Sequence, residues 1–63
     1  MYSLSINRWK FKIYRDGRGE WRWRLKAANG LIVADSAEGY STHAGAKRAA
    51  ENVRDNAGSA DIE

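Results

Sequence analysis

The sequence feature that most constrains the fold is an alternation of large apolar and cationic residues near the middle of the chain. Residues 21–26 read tryptophan, arginine, tryptophan, arginine, leucine and lysine. Because successive side chains of a β-strand point to opposite faces, this segment predicts a strand with one apolar and one basic face. The pattern therefore predicts a sheet with one apolar and one basic face. It does not indicate an activity.

Two further strands are predicted, one on each side of this segment. Before it, Trp9, Phe11 and Ile13 alternate with cations, and a glycine-containing loop at residues 15–19 predicts a hairpin. Placing both apolar sets on one core face requires an even register, for example with Phe11 near Trp23. After it, an Asn-Gly pair predicts a second hairpin through a two-residue type I′ turn, in which both central residues have positive φ.

This second turn determines how the third strand pairs. A two-residue loop aligns Leu25 with Ala34 and also places Ile32 on the core face. Arg24 is then expected opposite Asp35 as a cross-strand ion pair worth about 0.2–1 kcal/mol. The three strands form an antiparallel meander with a partly neutralised basic face.

One helix is predicted after the strands. Alanines recur at helical spacing over residues 42–56, with Ser41 or Thr42 as the N-cap and Gly58 in the left-handed position after the helix end. Residues 59–63 alternate again and predict a short C-terminal strand. The fold class is therefore α+β, with a three-stranded antiparallel meander, one helix on one face and a short C-terminal strand.

These segments resemble a known protein family. The run at residues 11–16, the segment at residues 19–30 and the Gly-Tyr-Ser at residues 39–41, ahead of an alanine-bearing helix, are similar to the small YegP-like proteins of unknown function. The match covers residues 9–62, so the chain is expected to be a single unit of 1–63 with residues 1–7 as an N-terminal extension. The resemblance implies a homodimer that exchanges C-terminal strands to form one continuous sheet. It implies no catalytic residues and no cofactor.

The size of the chain independently favours assembly. Below about 70–80 residues one core rarely supplies more than about 3–5 kcal/mol, and this chain has 63 residues. It contains no cysteine and one histidine, which excludes disulfides and Cys- or His-rich metal sites. No segment reaches the roughly 20 apolar residues of a membrane span, and the N-terminus does not read as a signal peptide. We expect a soluble cytoplasmic protein with no membrane partner.

The cations are concentrated in the strand-forming part of the chain. The net charge is +6 over residues 8–26 and −3 over residues 27–63. Five cations share one face by strand parity and are the candidate polyanion-binding residues: Lys10, Lys12, Arg22, Arg24 and Lys26. Such a face predicts binding of nucleic acid or another polyanion through its phosphates, with the two arginines as the main contacts. Basic residues also keep an open sheet soluble, so a purely solubilising role is the alternative.

The sequence offers little support for catalysis. His43 lies near the helix start without a visible Ser or Asp partner, and the glycines of the first hairpin lack the strand–helix context of a phosphate loop. The tryptophans are interpreted as core, whereas Tyr14 falls on the basic face and is available for stacking. The leading interpretation is a dimeric binding or assembly module without catalytic activity, whose protein partner is unidentified. An enzyme with a site at the dimer junction is the remaining alternative.

Overall fold

The computed structural model describes residues 8–63, which form an antiparallel sheet and one helix. The elements, in chain order, are β1 (Lys10–Arg15), β2 (Trp21–Lys26), β3 (Ile32–Asp35) and α1 (His43–Ala57). The strands lie in the sheet in their sequence order. The predicted α+β meander with one helix is confirmed, while the predicted N-terminal extension at residues 1–7 lies outside the described residues.

The helix packs on the face of the sheet that carries the tryptophans. Trp23 is buried, and its ring meets Phe11 edge-to-face with centroids 5.5 Å apart. On α1, the buried residues are Ala46 and Ala50. Because alanine is small, the helix can closely approach a face that carries bulky rings. The predicted core face is confirmed at Phe11 and Trp23, and the predicted alanine stripe is confirmed at Ala46 and Ala50.

The pairing of β1 with β2 differs by two residues from the example chosen above. Phe11 pairs with Leu25, and Ile13 pairs with Trp23. A shift of two residues preserves parity, so the apolar side chains stay together on the core face. Phe11 still reaches Trp23 as a diagonal cross-strand neighbour.

Both hairpin loops have the same three-residue geometry. In the first loop, the amide of Asp16 donates to the carbonyl of Glu20 at 2.8 Å, and the amide of Gly19 donates to the carbonyl of Asp16 at 3.0 Å. The second loop, residues 28–30, closes with the same two bonds. Each loop ends on a glycine with positive φ, 81° at Gly19 and 88° at Gly30. This is the pattern of a tight turn followed by a glycine bulge.

The type I′ turn predicted for the Asn-Gly pair is therefore wrong. Only Gly30 has a positive φ there, and the loop is one residue longer than predicted. A bulge between Leu25 and Lys26 absorbs the extra residue, so Leu25 still pairs with Ala34 as predicted. Ile32 pairs instead with Lys26 and is 52% exposed. Its predicted place in the core is wrong because the bulge changes its side of the sheet.

The helix begins at the predicted cap and ends differently from the prediction. The Thr42 hydroxyl accepts a hydrogen bond from the Gly45 amide at 3.0 Å, which satisfies an otherwise free helical N–H. At the other end, Gly58 has φ −67° and ψ −20°, a right-handed conformation. The left-handed conformation predicted for Gly58 is wrong, because the chain leaves the helix through a further right-handed turn.

Both ends of the described chain lie outside the core. Trp9 precedes β1 and is 60% exposed, so its predicted burial is wrong. At residues 59–63 the predicted C-terminal strand is not formed within the chain, and Ile62 is 99% exposed. A segment of this length needs the edge of another strand for its backbone hydrogen bonds, and it meets none here.

The segment after β3 returns to β2. The Ser36 amide donates to the Trp23 carbonyl at 2.8 Å, and the Ser36 hydroxyl accepts from the Trp23 amide at 3.2 Å and donates to the Glu38 carbonyl at 3.1 Å. Further on, Trp21 and Tyr40 exchange two backbone hydrogen bonds of 2.7 Å each. These bonds hold the connection to α1 against the edge of β2.

Candidate functional site

The face of the sheet opposite α1 holds all five predicted cations. Lys10 pairs with Lys26, Lys12 with Arg24, and Tyr14 with Arg22. Since directly paired residues point to the same side, these side chains share one surface. We call it the basic face, defined by Lys10, Lys12, Tyr14, Arg22, Arg24 and Lys26.

Arg24 stacks on Tyr14 instead of pairing with Asp35. Its guanidinium carbon lies 4.0 Å from the centroid of the tyrosine ring. The Tyr14 hydroxyl donates to the Asp35 carboxylate, 3.1 and 3.2 Å from its two oxygens. Arg24 is opposite Asp35 as predicted, but the predicted ion pair is wrong because Tyr14 engages both partners. The buried Nε of Arg24 has no hydrogen-bond partner among residues 8–63.

The guanidinium group of Arg22 is bound by other parts of the chain. Its Nη2 donates to the Ser36 carbonyl, and its Nη1 lies 3.7 Å from a carboxylate oxygen of Asp16. These contacts connect β2 to the first hairpin loop and to the segment after β3. Only 25% of the Arg22 side chain is exposed. Arg22 is on the predicted face, but its guanidinium is already bound by neighbouring parts of the chain.

Asp16 closes the first hairpin loop with its side chain. Its Oδ1 accepts hydrogen bonds from the amides of Arg18 and Glu20, each 2.9 Å long. The Glu20 bond is the main cause that holds the pKa of Asp16 below its usual value, and the Arg18 amide and the charge of Arg22 lower the pKa further against an opposing effect of burial. The glycines of residues 15–19 predict the hairpin, but they do not indicate that Asp16 closes it. An Asp before Gly in a loop is a recognisable signal for such side-chain-to-backbone bonds.

The three lysines of the basic face have no counter-charge. Lys10 and Lys12 are exposed, and Lys26 is partly buried. Among residues 8–63, none of them has a carboxylate within 4.0 Å. Lys10 and Lys26 are direct cross-strand partners. Because their charges are alike, this pairing destabilises the sheet.

Two tryptophans and the histidine lie on the helix side of the sheet or within the core. The Trp21 ring meets His43 edge-to-face at 5.1 Å, and the Arg15 guanidinium lies 5.7 Å from it. His43 thus packs on an aromatic ring. Within residues 8–63, no three His, Asp or Glu side chains come together as a metal site.

An open groove runs between β1 and α1 on the core face. Phe11 and Ile13 are only partly buried there, because α1 leaves part of β1 uncovered. One depression has a volume of about 290 Å³ and its neighbour about 560 Å³. Their shared lining includes Phe11 and Arg54, and Trp9 lies at the second.

In the described part of the chain, no helix combines the length and the apolar character that crossing a bilayer requires.

Comparison with known proteins gives a consistent family. A family model described as a domain of unknown function, DUF1508, matches residues 16–63. A UPF0339 protein of Agrobacterium fabrum is 45% identical over 53 residues, which are 84% of each chain. One from Methanosarcina acetivorans is 42% identical over 84% of this chain and 90% of that relative.

Two further comparisons concern structure and length. The solution structure of a protein from Haloferax volcanii has a TM-score of 0.81 and 41% identity, covering 92% of this chain and 97% of that one. A UPF0339 protein encoded in the ptx operon 5′ region of Stutzerimonas stutzeri is 47% identical over 75% of this chain, but the match covers only 41% of that relative. The family has no assigned function or catalytic activity. The chain belongs to this DUF1508 family of UPF0339 proteins, which is also that of the YegP-like proteins.

Proposed function

We propose that the chain is a non-catalytic, cytoplasmic binding or assembly module that works as a homodimer, in which the C-terminal segment of each chain completes the sheet of its partner. The observation that carries this proposal is the open groove beside β1. Phe11 and Ile13 line it and are only partly buried, while the apolar Ile62 of the same chain is 99% exposed. Burial of both on assembly would be favourable.

The pattern of residues 59–63 fits the edge of β1. If the segment pairs as a strand, Ala60 and Ile62 share one side and the two carboxylates of the segment share the other. The groove lies beside β1, so the apolar pair favours this edge of the sheet over the edge at β3.

The longer Stutzerimonas stutzeri relative supports the same assembly. A match that covers 41% of that chain leaves room in it for a second unit of this size. Two units in one chain would supply each other's missing strand without a second molecule.

The mass of the protein in solution tests the dimer. We expect light scattering at about 100 µM to return twice the chain mass of 7.1 kDa. The variant Ile62→Asp should return the mass of one chain, because a charge in the apolar groove is costly. Leu31→Asp is the matched control: Leu31 is 65% exposed and adjoins β3, at the opposite edge of the sheet from β1, so this variant should remain dimeric. A monomeric wild-type protein would contradict the proposal.

We also propose that the basic face binds polyanions. The specific observation in its favour is that the Asp35 carboxylate accepts from Tyr14, and that within residues 8–63 it forms no ion pair with Arg24. Together with Lys10, Lys12 and Lys26, this leaves four cations of the basic face without an ion-pair partner in the described part of the chain. Arg22 is not among the expected ligand contacts, because it is bound within the fold.

Fluorescence anisotropy with labelled duplex DNA tests this second function. Affinity should fall steeply with salt, because each phosphate contact releases counterions. The variant Lys12→Gln should lower affinity and reduce the salt slope by about 1. Arg48→Gln, an exposed change on the helix, should leave both unchanged. Equal effects of the two variants would show that only net charge matters and would contradict binding at this face.

A further inference from the structure

We infer that the basic face recognises nucleic acid through its phosphates alone, without stacking on the bases. This inference rests on the polyanion binding proposed above and specifies which groups of the nucleic acid the basic face contacts. It follows from where the structure places the aromatic rings and the cations.

The large core aromatic residues are turned away from the basic face. Phe11, Trp21 and Trp23 are odd-numbered members of β1 and β2, and they contact each other or α1 on the opposite side. Trp23 is only 9% exposed. A nucleic acid on the basic face would not reach these rings.

Within residues 8–63, the aromatic residue of the basic face is Tyr14, and it is already engaged. The Arg24 guanidinium covers its ring at 4.0 Å. Its hydroxyl is bound to Asp35, which places a negative charge beside the ring. A base stacking in the place of Arg24 would have to displace the cation, and the phosphates that flank this base would meet the carboxylate.

The cations of the basic face can bind phosphates without a fixed geometry. Lysine presents a point charge on a flexible stem, which can follow a phosphate backbone in many orientations. Lys10 and Lys12 are two residues apart on β1, a spacing of about 6.5–7 Å. Lys26 and Arg24 lie across from them on β2. Four cations thus form a small array that can contact about four phosphates.

Two oligonucleotides with the same phosphates test the inference on the full chain. One is a 12-mer of thymidine, and the other is an abasic 12-mer without bases. We expect equal dissociation constants within about threefold and salt slopes of about −3 for four contacts to a single strand. Each stacked base would instead make the thymidine oligomer bind about 5- to 150-fold more tightly.

The outcomes test phosphate-only recognition separately from polyanion binding. A thymidine oligomer that binds about fivefold tighter or more would overturn phosphate-only recognition and leave polyanion binding intact. If neither oligomer binds at low salt, both fail. The variant Lys12→Gln should weaken both oligomers equally, whereas Arg48→Gln should change neither.

A third probe separates nucleic acid from a bare phosphate polymer. Inorganic polyphosphate and duplex DNA are compared at equal phosphate concentration. Tighter binding to the duplex supports nucleic acid as the ligand. Tighter binding to polyphosphate would overturn that assignment.

Discussion

Asp16 shows how one residue connects a loop to the charge pattern of a strand. Its carboxylate accepts two backbone N–H bonds within the first hairpin loop and lies 3.7 Å from Arg22 on β2. All three partners interact better with the ionised carboxylate than with the neutral acid. The pKa of Asp16 in the folded protein is therefore below its value in the unfolded chain.

This shift predicts a specific loss of stability in acid. A lowered folded-state pKa gives stability that is present above the unfolded pKa of about 3.9 and is lost as the pH falls through the folded pKa. We expect the wild-type protein to lose more unfolding free energy between pH 6 and pH 3 than Asp16→Asn. Urea denaturation at several pH values measures this. Glu38→Gln controls for net charge, and identical pH profiles for wild type and Asp16→Asn would contradict the prediction.

The neighbouring arginines mark the limit of what the sequence predicts at this scale. The alternation within residues 21–26 is sufficient to predict that Arg22 and Arg24 share one face of the sheet. Their partners come from elsewhere: Asp16 and Ser36 for Arg22, and Tyr14 for Arg24. Loop conformations and cross-strand stacking decide these contacts, and the alternating pattern carries no information on them.

At the scale of elements, the connection from β3 to α1 depends on close approach of two backbones. Ser36 and Tyr40 both bond to β2, which brings the intervening Gly39 against the side chain of Glu20. A Cβ at position 39 would lie 2.8 Å from the Glu20 Cβ and closer still to its carboxyl group. The bridge between Trp21 and Tyr40 therefore requires glycine at this position.

A methyl group at Gly39 should destabilise the fold. We expect Gly39→Ala to cost about 1–3 kcal/mol, the usual range for overpacking, because the Glu20 Cβ cannot move without its strand end. Chemical denaturation measures the loss. Gly17→Ala is the matched control: a Cβ there meets nothing within 4 Å and φ is not positive, so little change is expected. Equal stability of the two variants would contradict the proposed contact.

The elements themselves were predictable, and the turn type was not. The periodicities of two and 3.6 residues identify the strands and the helix because burial of one face imposes them. The Asn-Gly pair is compatible with a two-residue turn and with a three-residue loop that needs glycine only at its last position. The structure has the longer loop, and the consequence is the displaced Ile32.

At the scale of the whole molecule, the single chain has a small core. Within residues 8–63, the apolar residues classed as buried are Trp23, Ala46 and Ala50. The groove beside β1 leaves further apolar surface in contact with water. A chain of 63 residues with so little buried surface is expected to depend on assembly for part of its stability.

This dependence predicts a melting temperature that changes with protein concentration. For a dimer that unfolds to separate chains, a 100-fold rise in concentration adds about 2.7 kcal/mol, which corresponds to a rise in Tm on the order of 10 °C. Circular dichroism between about 5 and 500 µM measures it. Ile62→Asp should melt lower and show no concentration dependence. A constant Tm for the wild-type protein would contradict the dimer.

The exposed Trp9 is an intrinsic fluorescence probe of the groove. Its indole lies in water at the groove, next to Arg8 and Lys10, while Trp23 is enclosed in the core. Iodide, an anionic quencher, should therefore quench Trp9 before Trp23. A strand that settles beside β1 would shield that indole and shift its emission to shorter wavelength, so that fluorescence follows assembly in the unlabelled protein.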